Sequence, residues 1–137
     1  MFIRIETSSG MPITRQIADQ IRSLCASGAL IPEDRLPSVR QLAKELAVNQ
    51  NTILHVYQRL TDEGLLERRQ GDGTYVSQKL PAGRAKAQRE LLMQEIDRLG
   101  HRAFDLGITS EEVRGLIDES FARIEKERAA LRKGRAS

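Results

Sequence analysis

The run from Leu36 to Val76, LPSVRQLAKELAVNQNTILHVYQRLTDEGLLERRQGDGTYV, limits the fold more than any other part of the chain. Its apolar spacing is helical, breaks at a short polar turn, resumes as helical and then gives way to two short β-type segments. Ser38 followed three residues later by Gln41 is a capping box, so a helix begins just after Pro37. Val39, Leu42, Ala43 and Leu46 form its apolar face. Ala47-Val48-Asn49 is the turn, with Val48 at the corner and Asn49 placed to cap the next helix through its side-chain oxygen.

That second helix is expected over about Gln50 to Glu63. Ile53, Val56, Tyr57 and Leu60 recur at i, i+3, i+4 and i+7 and commit one face to the core. Gln50, Asn51, Leu54, His55 and Gln58 lie opposite. Leu54 is the apolar member of that face, accounted for equally by contact with a thymine methyl and by packing on a neighbour. Gly64 closes the helix. Leu65 to Arg69 and Thr74 to Ser77 read as strands around the tip Gln70-Gly71-Asp72-Gly73, whose glycines suit positive φ. Arg68 and Arg69 flank the tip, and strand alternation sends at least one to solvent. The expected fold is mainly α with a small β-hairpin wing: a winged helix-turn-helix followed by a two-helix C-terminal region.

These features in order, Leu36-Pro37-Ser38, Arg40 with Leu42-Ala43, Asn51-Thr52, Tyr57 with Leu60, Glu63-Gly64-Leu65 and Gly71-x-Gly73-Thr74, resemble the DNA-binding domain of the GntR family of bacterial transcription regulators. The resemblance covers roughly residues 11–77. The short remainder resembles the YtrA branch, in which the second helix opens with an Asn-Pro-Asn-Thr-like run; here it is Asn49-Gln50-Asn51-Thr52, with Gln50 in place of proline. Many members carry arginine at the positions of Gln50 and Leu54. This chain does not, so arginine readout does not transfer to those positions and the operator should differ. The resemblance implies a DNA contact at Arg40, a homodimer and a regulator of transcription; a cytoplasmic location is expected from the lone cysteine, which is ordinary for a reducing cytosol.

At 137 residues the chain has room for one core domain and a small appendage, and 22 basic against 19 acidic residues leave a net charge of only +3. Nucleic-acid binding must therefore rest on where charges sit, not on the overall balance. One cysteine excludes an internal disulfide. No signal-peptide pattern opens the chain, and no apolar run is long enough for a bilayer, so no membrane role is expected.

Toward the N-terminus, Phe2-Ile3-Arg4-Ile5 is expected as a short strand. A helix opened by Pro12 should follow over about Ile13 to Ser27, with Ile13, Ile17, Ile21 and Leu24 on one face and Gly28 at its end. Arg15 and Arg22 read as a solvated face, Cys25 as a small buried residue. The domain pattern is 1–78 for the winged helix, 79–84 for a linker containing Pro81 and Gly83, and 85–137 for a helical dimerisation region. There, one helix from about Ala85 to Asp105 carries Leu91, Leu92, Ile96, Leu99 and Phe104. Thr109 with Glu112 caps a second, striped by Val113, Leu116, Ile117, Phe121 and Ile124. Glu125 to Ser137 is expected to fray. Two helices make a thin core, and a second copy covers it economically. The interface residues are Leu92, Ile96, Leu99, Val113, Leu116, Ile117 and Phe121. Folding back on the first domain is the other way to cover them.

Catalysis finds little support. His55 and His101 are far apart, no Ser/His/Asp set or Cys/His metal spacing occurs, and neighbouring carboxylates on a helix diverge. No cofactor or metal is expected. The expected function is sequence-specific binding of double-stranded DNA by a homodimer on an inverted repeat, acting as a repressor. The DNA-binding residues would be Arg40, Asn49, Gln50, Asn51, Thr52, His55, Arg69, Gly71, Gly73 and Thr74. Asn and Gln match an adenine edge, the helix N-terminus favours phosphate, and the small wing tip approaches the backbone or minor groove. The alternative is a winged-helix module that binds protein without DNA. A small-molecule effector is a third element left open, with no residue marking its site.

Overall fold

The structure is a computed structural model in which Met1 and residues 3–136 are described, without the side chains at 132, 135 and 136. The order of elements is α1 (Ile13–Ser27), α2 (Val39–Leu46), α3 (Gln50–Asp62), β1 (Leu66–Arg69), β2 (Gly73–Val76), α4 (Arg84–Asp105) and α5 (Ser110–Ala136). The chain divides into two compact units, Met1–Glu90 and the residues from Leu91 on. Residues 77–83 form neither helix nor strand. The first turns of α4 belong to the first unit, where Arg84 Nε donates to the carbonyl of Cys25 at 3.2 Å.

In the first unit, α1, α2 and α3 enclose a core whose fully buried members include Ile17, Ile21, Leu42, Ile53, Val56 and Leu60, with Leu66 and Val76 of the hairpin closing it. The local signals work as the sequence implies. Ser38 Oγ accepts from Gln41 N and the Gln41 side chain accepts from Ser38 N. Ala47 turns the chain with φ 54°, and Val48 N donates back to Ala43 O at 3.0 Å while its side chain packs on the core. Tyr57 is buried, and its hydroxyl donates to Pro37 O at 2.7 Å, tying α3 to the approach to α2. Burial, then the charge of Glu45, pushes the Tyr57 pKa up. Cys25 is buried, and its thiol pKa is likewise raised by loss of solvent.

Three expectations need correction here. Ile3 to Ile5 forms no strand among the described residues, and Phe2 lies outside them. The segment is held by glutamine side chains of α1 instead: Gln20 Oε1 accepts from Arg4 N and its amide donates to Arg4 O, and Gln16 does the same for Glu6. A primary amide offers the donor and acceptor pair that a neighbouring strand would offer. Arg22 is not a solvated residue. Its side chain is 15% exposed, donates to both oxygens of Glu63 and to Asp19 Oδ1, and so ties α1 to the end of α3. Ile13, placed on the buried face by its spacing, is 38% exposed.

The hairpin pairs Leu66 with Val76, Glu67 with Tyr75, Arg68 with Thr74 and Arg69 with Gly73, antiparallel. The other edge of β2 is covered by residues 33–36: Glu33 N donates to Val76 O, Val76 N to Asp34 O and Leu36 N to Thr74 O. β2 is therefore bonded on both edges, to β1 on one side and to the segment that leads into α2 on the other.

In the second unit, α4 ends at Gly107, whose φ is 72°, and Ile108 N reaches back to Ala103 O at 2.9 Å. Thr109 Oγ1 accepts from Glu112 N at the start of α5. The stretch expected to fray from Glu125 is helical to Ala136; its Glu, Lys, Arg and Ala content favours helix even where nothing apolar drives packing. No helix of the described residues is long and apolar enough to cross a membrane.

Candidate nucleic-acid interface

The N-terminal turn of α3 presents polar side chains because its apolar positions are used by the core. Gln50, Asn51 and His55 are exposed, and Thr52 is half-buried. Asn49 is the helix cap: its Oδ1 accepts from Asn51 N at 2.8 Å, which leaves only its amide N–H groups for an outside partner. Leu54, on the same face, is 38% exposed.

Strand parity separates the two wing arginines. Leu66 and Val76 point into the core, so Arg68 and Thr74, two places along, share that face where it runs past the core toward α2 and α3. Arg68 is exposed and makes no ion pair or hydrogen bond among the described residues. Arg69 lies on the other face. Its Nη2 donates to Glu33 and to Glu67, and its guanidinium stacks 4.0 Å from the centre of the Tyr75 ring. The two carboxylates, Glu33 first, push its pKa still higher. Arg69 is thus occupied within the protein, whereas Arg68 has no partner among the described residues.

At the tip, Gly71 has φ 77° and Gly73 φ 134°. A Cβ on Gly73 would sit 3.3 Å from Arg35 Nε, so the tip is closed against Arg35, whose Nη2 donates to Asp72 O at 2.8 Å. Tyr75 hydroxyl donates to Asp72 Oδ2 at 2.9 Å, and this bond raises the tyrosine pKa.

Together these elements line one groove. Arg35, Ser38, Arg40 and Gln50 form one side, and residues 68–74 the other. Arg40 is exposed and, like Arg68, has no partner among the described residues. Of the residues expected from sequence, Arg40, Gln50, Arg69, Gly71, Gly73 and Thr74 line this groove; the cap Asn49, and Asn51, Thr52 and His55 along α3, do not. Arg35 and Arg68 were not among the expected contacts. Arg68 was recoverable from alternation once Leu66, not Leu65, is taken as the inward residue.

In the second unit, Leu92, Ile96, Leu99, Leu116, Ile117 and Phe121 are exposed in the single chain, and Val113 is half-buried. Phe104 is 85% exposed. At the α4–α5 turn, Leu99, Ala103, Leu106, Val113, Leu116 and Ile117 line an apolar hollow edged by Arg102 and Ser120.

A family model described as bacterial regulatory proteins, gntR family, matches residues 13–76. The chain is 33% identical over 120 residues to the HTH-type transcriptional repressor YtrA of Bacillus subtilis (strain 168), a match that spans 88% of this chain and 92% of that one. Among solved structures, YtrA from Sulfolobus acidocaldarius, a GntR-family transcription factor, matches with a TM-score of 0.53 and 31% identity over 90% of this chain and 99% of that one. AraR(DBD) in complex with operator ORX1 matches with a TM-score of 0.50 and 25% identity over 56% of this chain and 96% of that one.

Proposed function

Because this chain belongs to the GntR family of bacterial regulatory proteins, and is similar to YtrA over most of its length, we propose that it is a dimeric repressor of transcription that binds an inverted-repeat operator. The observation that carries this is the groove between α3 and the wing, where Arg40 and Arg68 have no partner among the described residues beside a polar helix start. Arg40, Arg68 and the α3 N-terminus take phosphates; Gln50 and Asn51 read base edges in the major groove, with Thr52 and His55 beside them. The tip at Gly71–Gly73 enters the adjacent minor groove. The likeness to an AraR domain in complex with an operator supports DNA as the partner.

Dimerisation follows from the second unit. Its apolar side chains gain cover from the same side chains of another copy, and a two-fold dimer presents two recognition helices to two half-sites. Repression then needs only occupancy of the promoter.

Selection from a random duplex pool at moderate salt tests this directly. The expected product is an enriched inverted repeat. Weak binding without enrichment would refute sequence-specific recognition by the free protein. With the site known, Asn51→Ala should cost about 1–3 kcal/mol of discrimination at one base per half-site. An equal loss on operator and random DNA would remove Asn51 from base readout.

A further inference from the structure

We propose that Asp72, at the apex of the wing, determines specificity by accepting a hydrogen bond from the 2-amino group of a guanine in the minor groove, so that the protein selects a G·C pair beneath each wing. This rests on the DNA-binding function proposed above.

The wing places an acid where a DNA-binding loop would be expected to carry a cation, and it holds that acid in place. Asp72 N donates to Arg69 O at 2.9 Å, and Arg35 holds the Asp72 carbonyl at 2.8 Å, so the peptide is fixed on both sides. The Tyr75 hydroxyl fixes one carboxylate oxygen, Oδ2, at 2.9 Å. Tyr75 is steadied in turn by Arg69 stacked on its ring, and Arg69 by Glu33 and Glu67. Oδ1 has no partner among the described residues. Asp72 itself is exposed. The result is a preorganised acceptor in the tip of the hairpin, on the groove that Arg40 and Arg68 also line.

The minor groove decides what such an acceptor can meet. An A·T pair shows only acceptors there, the adenine N3 and thymine O2, whereas a G·C pair adds one donor, the guanine 2-amino group. Narrow A·T-rich tracts also deepen the negative potential that attracts arginine and repels carboxylate. Asp72 therefore penalises A·T and rewards G·C at the same position.

The test uses the full-length protein and the operator selected from the random pool. Wild type should enrich G·C at two symmetric positions flanking the bases read by α3. Replacing that guanine by inosine, which lacks the 2-amino group, should weaken wild-type binding by on the order of tenfold. Asp72→Ala, which removes the acceptor, should bind the guanine and inosine duplexes alike and lose the flanking G·C enrichment, while keeping the central pattern. Tyr75→Phe, which frees the carboxylate, should lose part of the preference. Equal wild-type affinity for guanine and inosine duplexes overturns the assignment without any variant having to fold. If an operator is enriched but its flanks are the same for wild type and Asp72→Ala, only the role of Asp72 fails. If no operator is enriched at all, the DNA-binding function fails and the proposal with it.

Discussion

Arg68→Gln and Arg69→Gln make an unusually clean pair, because both remove one positive charge from adjacent wing positions while only one of those charges is free. Arg68 lines the groove and has no partner among the described residues; Arg69 is shared by Glu33 and Glu67 and lies on Tyr75. If Arg68 neutralises one phosphate, each such contact contributes about −0.9 to the slope of log Kobs against log salt, so a dimer lacking both copies should show a slope shallower by about 1.8. Between 50 and 200 mM salt that difference amounts to roughly tenfold in affinity. Arg69→Gln should leave the slope near the wild-type value and instead lower the thermal midpoint, since it releases Glu33, Glu67 and Tyr75 together. The assay is fluorescence anisotropy on a labelled operator duplex over a salt series, with circular-dichroism melts of each variant. Net charge changes equally in both proteins, so a difference in slope reports placement alone. Equal flattening in both variants, or none in Arg68→Gln, would refute the division of roles.

Ser38→Ala removes the acceptor for Gln41 N and should cost about 1 kcal/mol of unfolding free energy in urea titrations. Tyr57→Phe deletes the bond to Pro37 O and should cost about 1 kcal/mol near neutral pH. Because the folded-state pKa of Tyr57 is raised, its contribution is whole below about pH 10, the unfolded value, and is lost as pH climbs through the folded value. The alkaline decline in stability should accordingly flatten in the phenylalanine variant, and an unchanged decline would assign it elsewhere. Gly73→Ala imposes a side chain at φ 134° and 3.3 Å from Arg35 Nε, and should destabilise by about 1–3 kcal/mol, read as a lower urea midpoint. Phe121→Glu should shift sedimentation from dimer to monomer and weaken operator binding; a persistent dimer would remove α5 from the interface.

Most of the winged domain was legible in the chain because its signals are local. Ser38 with Gln41, Asn49 before Gln50, and the 3.6-residue spacing of Ile53, Val56, Tyr57 and Leu60 each act within a turn or two of helix, and all recur in the structure. The residues that went astray depend on partners far along the chain. Ile3 to Ile5 has the composition of a strand, but α1 offers it glutamine amides in place of a strand. Arg22 looks solvated until Glu63, forty-one positions later, is brought beside it.

The wing shows most clearly what sequence settles and what it does not. Two glycines around Asp72, with short β segments on either side, determine that a hairpin forms and where it turns. They do not determine which arginine is available. Leu65 and Leu66 are both apolar and both buried, so alternation can be counted from either, and each count puts a different arginine on the core-side face of the hairpin. The helix end decides the matter: Leu65 N still bonds back to Leu60 O, the strand begins only at Leu66, and Arg68 takes the face of Leu66 and Val76. Glu33 and Glu67 then claim Arg69. Periodicity and capping are properties of neighbours and can be read along the chain. The partner of a charge depends on which distant segments the core brings together, and only the tertiary structure supplies that.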